Sequence, residues 1–244
     1  MKVIVNGALG RMGKEVVRLL SEEYRGASLS ARVDAFGNED GVYTALDEVK
    51  EKADVIIDFS NHAATDALLA YATKTKTPVV LATTGHTKEE LAAVSLAAKE
   101  IPVFFSANMS LGVALLCRLA KEAASLYPDA DIEIVEKHHN RKLDAPSGTA
   151  LMLANAIGEV RKDTNQVLGR KGQAKREKND IGIHAVRMGN IVGEHEVLIG
   201  TDTETITLSH TAHSRSLFAE GAVVAAAFLV GQTAGLYNMS DMLK

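Results

Sequence analysis

The sequence predicts an α/β chain: a doubly wound, mostly parallel sheet with helices on both faces, interrupted by a smaller inserted α+β domain. Three observations carry this. Short apolar runs alternate with amphipathic stretches through the first hundred or so residues, the pattern of repeated βα units. A glycine-bearing turn joins the first run to the first amphipathic stretch. Beyond Gly112 the alternation gives way to consecutive strand-like runs before a last apolar helix. With 244 residues, 46% apolar and 24% charged, the chain can fill one large domain or two ordinary ones around a sizeable core.

Lys2–Asn6 has the composition of a short buried strand, and Val16, Val17, Leu19 and Leu20 recur at helical spacing behind it. Between them lies Gly7-Ala8-Leu9-Gly10-Arg11-Met12-Gly13, a strand–glycine loop–helix unit. Glycines let such a turn bring its N–H groups and the helix end close to a pyrophosphate, where side chains would obstruct it. The spacing is GxxGxxG rather than GxGxxG. A second strand, Ser28–Val33, runs into Asp34, about twenty residues beyond the last glycine, where an acid would hold the adenosine ribose. The combination makes the sheet Rossmann-like. Strands at Ala53–Asp58, Pro78–Ala82 and Pro102–Phe105 continue the series, with helices over Ala63–Thr75 and from Lys88 to Lys99. Ligands of such sheets lie beyond the strands' carboxyl ends, so the loops at Gly7–Met12, Phe59-Ser60, Thr83-Thr84 and Ala107–Met109 should line one crevice. Thr83 and Thr84 serve equally well as caps for the following helix.

The rhythm then changes. A helix over Val113–Leu126 precedes an alternating strand, Asp131–Val135, and a further helix runs from about Ala150 to Arg161. Residues 163–180 are polar, glycine-bearing and without apolar period, which reads as a long surface loop. Strands at Ile181–Met188, Gly193–Ile199 and Glu204–His210 complete, with 131–135, a four-stranded mixed sheet. The helix after Ser214 is apolar enough to return to the first sheet. The expected domains are 1–108 with 216–244, and an inserted 109–215 for substrate binding and oligomerisation. Arg215, at the crossing, could fork onto a carboxylate or pin the two domains.

The formal net charge is −4, and no basic field or polybasic run points to nucleic acid or a membrane surface. No apolar run approaches the roughly eighteen residues of a membrane span. The strand-like start leaves no room for a signal peptide, and the single cysteine, Cys117, has the setting of a buried thiol; the expected compartment is the cytoplasm.

The densest chemistry lies at Glu136-Lys137-His138-His139-Asn140-Arg141-Lys142, followed by Leu143-Asp-Ala-Pro-Ser-Gly-Thr149 and a run of helix formers. Pro and Ser belong at helix starts, whose unpaired N–H groups attract anions. Imidazoles, cations and a helix tip together suit a small dicarboxylate, against the alternative of a solvated charged face. Zinc is disfavoured: adjacent histidines lack suitable partners, and neither HExxH nor CxxC occurs.

Taken together, Val5–Gly13, Asp58-Phe-Ser60, Thr83-Thr-Gly85, Asn108–Gly112, Glu136–His139, Lys142–Thr149, Arg187-Met-Gly189, Ile191–His195 and Ser214–Ala219 closely resemble the 4-hydroxy-tetrahydrodipicolinate (dihydrodipicolinate) reductase family, from Met1 to the last helix. The resemblance implies hydride transfer from reduced nicotinamide, NADPH or NADH, to a cyclic conjugated imine, with loss of water, on the diaminopimelate route to lysine. It implies that Gly7, Ala8, Leu9, Gly10, Arg11 and Met12 hold the pyrophosphate, Asp34 the ribose, and Ala82, Thr83, Thr84, Ser106, Ala107, Asn108 and Met109 the nicotinamide side. His138 would donate or accept the proton and Lys142 donate one, while His139, Gly148 and Thr149 grip the substrate carboxylates. A homotetramer through the small domain's sheet, and hinge closure near Met109 and Arg215, are further implications. Three positions depart from common family patterns: Ala82 for a glycine, Met109 for an aromatic residue, and Ala35 where some members carry an arginine suited to a 2′-phosphate. Asp34 without that arginine favours NADH, although Arg11 or Arg32 could neutralise a phosphate. The competing expectations are another two-domain dehydrogenase, acting on aspartate or a sugar, and a nucleotide-binding regulator without catalysis.

Overall fold

A computed structural model of the chain describes residues 1–37 and 39–244. It divides into two compact units, residues 1–110 with 216–244 and residues 111–215. The first opens with β1 (Lys2–Asn6), α1 (Arg11–Ser21), β2 (Ser28–Val33), β3 (Val42–Tyr43), β4 (Val55–Asp58), α2 (Thr65–Thr75), β5 (Val79–Leu81), α3 (Lys88–Ala97) and β6 (Pro102–Phe105). The second supplies α4 (Leu111–Leu126), β7 (Asp131–His138), α5 (Gly148–Gly158), β8 (Asn165–Leu168), β9 (Asp180–Arg187), β10 (Gly193–Gly200) and β11 (Thr205–Ala212). The chain then returns to the first unit with α6 (Ser216–Leu229) and β12 (Gly235–Tyr237).

Among the described residues the first unit carries a seven-stranded parallel sheet, ordered β12-β6-β5-β4-β1-β2-β3. Its central strands are continuous apolar runs because both faces are covered. Ile4, Ile56, Val79, Leu81 and Val103 pack with Leu68 of α2 and Val94 of α3. Each such side chain contributes about 1.5–3 kcal/mol on leaving water. Helix α6 packs on α1 and on β4, β5 and β6, and its small residues allow a close approach: a Cβ at Gly221 would lie 1.7 Å from the Met109 carbonyl oxygen. The strand order reverses around β1, which opens the crevice expected beyond the carboxyl ends of β1 and β4.

The second unit carries a mixed sheet of five strands among the described residues, ordered β11-β10-β7-β9-β8, rather than the expected four. The added strand, β8, lies inside the segment expected to be loop and pairs parallel to β9. Its Asn-Gln-Val-Leu sequence is exposed or half-buried at every position, so an edge held by backbone pairing and by the polar bonds of Asn165 to Asp180 and Gln166 to Asn155 leaves no apolar period to read. Nor is there a period to read in β3 and β12, edge strands of two and three residues. Helices α4 and α5 bury Leu116, Ala120, Leu153 and Ile157 against Ile132, Ile134, Ile181, Ile183, Val197 and Ile199. Helix α5 ends at Gly158 instead of continuing to Arg161, whose guanidinium donates to the carbonyls of Ala124, Tyr127 and Ala130. Strand β7 runs three residues past Val135, so His138 sits on the sheet and not in the loop.

Candidate active site

In the first unit the glycine loop is held by its own backbone. The N–H groups of Gly7 and Ala8 both donate to the Val33 carbonyl, and Gly10 N–H donates to Gly7 O. Gly7 has φ +79°, and a Cβ there would meet Phe59 O at 2.6 Å; one at Gly13 would lie 2.0 Å from Gly7 O. The loop is therefore a cradle that only glycine can form, and it delivers the N-terminus of α1, which carries no side-chain cap. This fits a dinucleotide pyrophosphate. Asp34 closes the loop from the next strand: Oδ2 accepts Leu9 N–H and Oδ1 accepts Phe36 N–H, each at 3.0 Å.

Two cavities flank this cradle. One of about 490 Å³ is lined by Gly7, Gly10, Asp34, Ala35, Phe36, Leu46, Leu68 and Tyr71, among others, and has the apolar walls an adenine ring requires. The other, about 520 Å³, is lined by Arg11, Met12, His62, Ala82, Thr83, Thr84, Ala107, Asn108, Met109 and Phe218, with Phe59, Ser60 and Asn61 shared between the two. Ala8 is the buried member of the glycine loop, and Ser106 braces the separate loop after β6, its hydroxyl donating to Asn108 O at 2.7 Å. Thr83 does not cap the next helix. Its hydroxyl donates to Asp58 Oδ2 at 2.6 Å, while Thr87 and Glu90 form the capping box of α3. Burial pushes the Asp58 carboxyl up, and bonds from Ser60, Thr83 and Asn6 draw it back. His62 was not expected here; Glu90 accepts its Nδ1–H at 3.0 Å, and the ring lines the wider cavity.

In the second unit, strand register assembles the other cluster. Residues 136 and 138 share one face of β7, Arg187 of β9 lies level with His138, and His195 of β10 opposes Glu136. Glu136 is wholly buried; it accepts His138 Nδ1–H at 2.6 Å and both terminal nitrogens of Arg187 at 2.7 Å. Burial raises its carboxyl, but these donors and Ser147 N–H outweigh that and hold it below the usual carboxylate range. Ser147 caps α5, its Oγ accepting Ala150 N–H at 3.2 Å and bonding His195 Nε2 at 3.0 Å. Burial, then repulsion from His138, lowers His195 to about 4. Lys142 is four-fifths buried and paired with Asp144 at 2.8 Å. His139 Nδ1 is buried with no hydrogen-bond partner among the described residues; burial, Arg141 and Arg215 all lower its pKa. Gly148, the first residue of α5, faces open space, and Thr149 follows it. Arg215 is exposed and closes the unit.

Sequence patterning singled out the stretch 136–149, and the family resemblance named His138, His139, Lys142, Gly148 and Thr149 within it, between the end of β7 and the start of α5. It overlooked Glu136, Arg187, Ser147 and His195 as a group. The two-residue spacing of Glu136 and His138 on a strand was the available signal. Cys117 is a half-buried thiol pushed up to about 11 by burial, an inert group. Among the described residues no side-chain cluster could hold a metal ion, and no helix is long and apolar enough to cross a membrane.

Comparison with known proteins covers both units. Family models described as dihydrodipicolinate reductase, N-terminus and C-terminus, match residues 1–109 and 112–243. The 4-hydroxy-tetrahydrodipicolinate reductase of Caldanaerobacter subterraneus subsp. tengcongensis is 52% identical over all of this chain and 98% of the relative. That of Clostridium novyi is 47% identical with the same coverage. Among solved structures, the dipicolinate-bound dihydrodipicolinate reductase of Paenisporosarcina sp. TG-14 superposes with a TM-score of 0.81 at 25% identity, covering 98% of this chain and 97% of that one.

Proposed function

The chain belongs to the dihydrodipicolinate reductase family, and from that premise we propose that it reduces 4-hydroxy-2,3,4,5-tetrahydrodipicolinate to 2,3,4,5-tetrahydrodipicolinate with loss of water, on the diaminopimelate route to lysine. The observation that supports the site assignment is the chain of bonds around Glu136, which accepts both His138 Nδ1–H and the N–H of Ser147 at the start of α5, with Lys142 paired to Asp144 nearby in the sequence. The dicarboxylate named with the Paenisporosarcina neighbour is consistent with such a helix start.

A nicotinamide dinucleotide, held by Gly7, Gly10, Arg11, Met12 and Asp34 and by the loops at Ala82–Thr84 and Ser106–Met109, supplies the hydride when bound. The remaining steps belong to side chains. Hydride addition raises electron density along the conjugated imine, and a cation within reach stabilises that charge as it develops. The Lys142 ammonium, held in place by Asp144, offers both the charge and a proton. His138, with Nδ1 engaged by Glu136, moves its proton at Nε2. The N–H groups of Gly148 and Thr149, aided by the α5 dipole, receive one substrate carboxylate, and the His139 ring meets the other.

NADH and NADPH both serve, with NADH ahead. Asp34 lines the smaller cavity, where it would meet the ribose, and Arg32 is already engaged, donating to Asp40 O at 2.9 Å with Glu39 beside it. The tetramer forms through the second unit's uncovered sheet face, where Val135, Val186 and Leu198 are only half-buried or exposed, and the enzyme works in the cytoplasm. Light scattering of the purified chain checks the former.

The direct test is cofactor oxidation in the presence of the condensation product of pyruvate and aspartate semialdehyde. In that assay Lys142→Ala should lower turnover about 10²–10⁴-fold while the NADH dissociation constant hardly moves. Turnover near wild type would remove Lys142 from the reaction.

A further inference from the structure

Every donor that Glu136 can accept is present. The carboxylate takes His138 Nδ1–H at 2.6 Å, Ser147 N–H at 3.0 Å and two guanidinium N–H groups of Arg187 at 2.7 Å, which fills its lone pairs. Glu136 itself is fully buried and touches no open cleft, so it has no route to substrate. Its reach is through His138. In a neutral imidazole, the nitrogen that donates to a fixed acceptor keeps the proton, and the other nitrogen is left for chemistry. Gly193 of β10 keeps that second nitrogen accessible: a Cβ there would sit 3.1 Å from His138 Nε2.

We infer that Glu136 is a positioning residue, setting the tautomer and ring plane of His138 so that Nε2 is always the nitrogen presented to the reaction. The inference rests on the role given to His138 above. One anion thereby fixes two things at once, because Ser147, whose N–H it also holds, caps the helix whose tip grips the substrate. Arg187 extends the arrangement to the lysine: it donates to Asp144 O at 2.7 Å, and the Asp144 carboxylate pairs with Lys142. A carboxylate that merely balanced a buried arginine would need Arg187 alone. The short bond to His138 Nδ1 is the part such a role leaves unexplained.

The test uses the full chain and two readouts: ¹⁵N NMR of the histidine side chains, with His138 assigned by substitution, and steady-state kinetics. In the unmodified protein the neutral His138 ring should be the Nδ1–H form, with a slowly exchanging proton. In Glu136→Gln the two tautomers should mix, and kcat should fall by about 10–100-fold, the range typical when an outer-shell partner of a histidine is removed. The NADH dissociation constant should stay within about twofold. A folded Glu136→Gln that keeps the Nδ1–H form overturns the inference. So does an Nε2–H form in the unmodified protein, whether or not the variant folds. Mixed tautomers with undiminished turnover uphold the positioning by Glu136 and overturn the catalytic role of His138.

Discussion

Gly13 shows how much of the nucleotide site rests on a missing atom. An added Cβ would fall 2.0 Å from Gly7 O, inside any attainable contact, so Gly13→Ala must push the loop off α1. Its expected outcome is loss of NADH binding by fluorescence titration with the second unit's fold intact. Asp34, on the proposal above, bears on a subtler choice. A carboxylate and a phosphate about 4 Å apart repel by about 1 kcal/mol in water and more in a cleft, which is roughly a five- to tenfold preference for NADH in kcat/KM. Asp34→Ser should erase most of that ratio; an unchanged ratio would place the discrimination elsewhere. Both residues were legible because glycine spacing and a strand-end acid are local features. Glu136, Arg187 and His195 were not, since what makes them a group is register across β9, β7 and β10, which no single stretch of sequence records.

At the scale of the element, α5 is where structure and chemistry meet. Ser147 caps it and also bonds His195, so Ser147→Ala removes two hydrogen bonds with one atom. Loss of the cap costs about 1 kcal/mol and loosens the Gly148–Thr149 tip. The melting temperature should fall by a few degrees, and KM for substrate should rise while NADH affinity is unchanged. A lower melting temperature with constant KM would mean that the tip does not hold substrate. The start of α5 could be read from Pro146 and Ser147, the residues helices favour at their beginnings. Its end could not, because Arg161 is bound by the carbonyls of Ala124, Tyr127 and Ala130, and tertiary hydrogen bonds leave no local trace. Strand β8 escaped for the converse reason: it pairs on one side only, and the side-chain bonds that fasten it, from Asn165 to Asp180 and Gln166 to Asn155, carry no period.

For the whole molecule, acid separates the two units. In the second, Glu133, Glu136, Asp144 and Asp180 all titrate below their ordinary values; burial raises the first two but is outweighed by their donors, chiefly His184 and Arg187. A depressed carboxylate adds stability that is present above its unfolded pKa and is lost as pH falls through the folded one. His195 adds to this from a higher pH. Its folded pKa is lowered from 6.5 to about 4, so across that window the unfolded chain binds a proton that the folded one refuses. The first unit holds lowered carboxylates too, at Glu48, Glu51, Glu90 and Asp241. The contrast therefore rests on His195 and on Asp58, which burial raises and which works in the opposite direction, gaining stability as pH falls through its folded pKa. Calorimetry between pH 7 and pH 4 should show the transition of the second unit falling well ahead of the first; the reverse order would contradict these shifts. The two-unit plan was legible from the change of rhythm after Gly112, because alternating βα units and consecutive strands carry different periods. The chain's path through that plan also fixes a timetable for synthesis. Residues 111–215 are contiguous and can close as soon as they clear the ribosome, whereas the parallel sheet must wait for α6 to cover β4, β5 and β6 and for β12 to flank β6. The nascent chain therefore completes its inserted unit first, and the sheet begun before it stays open, with one face of β4, β5 and β6 bare, until the last of α6 emerges.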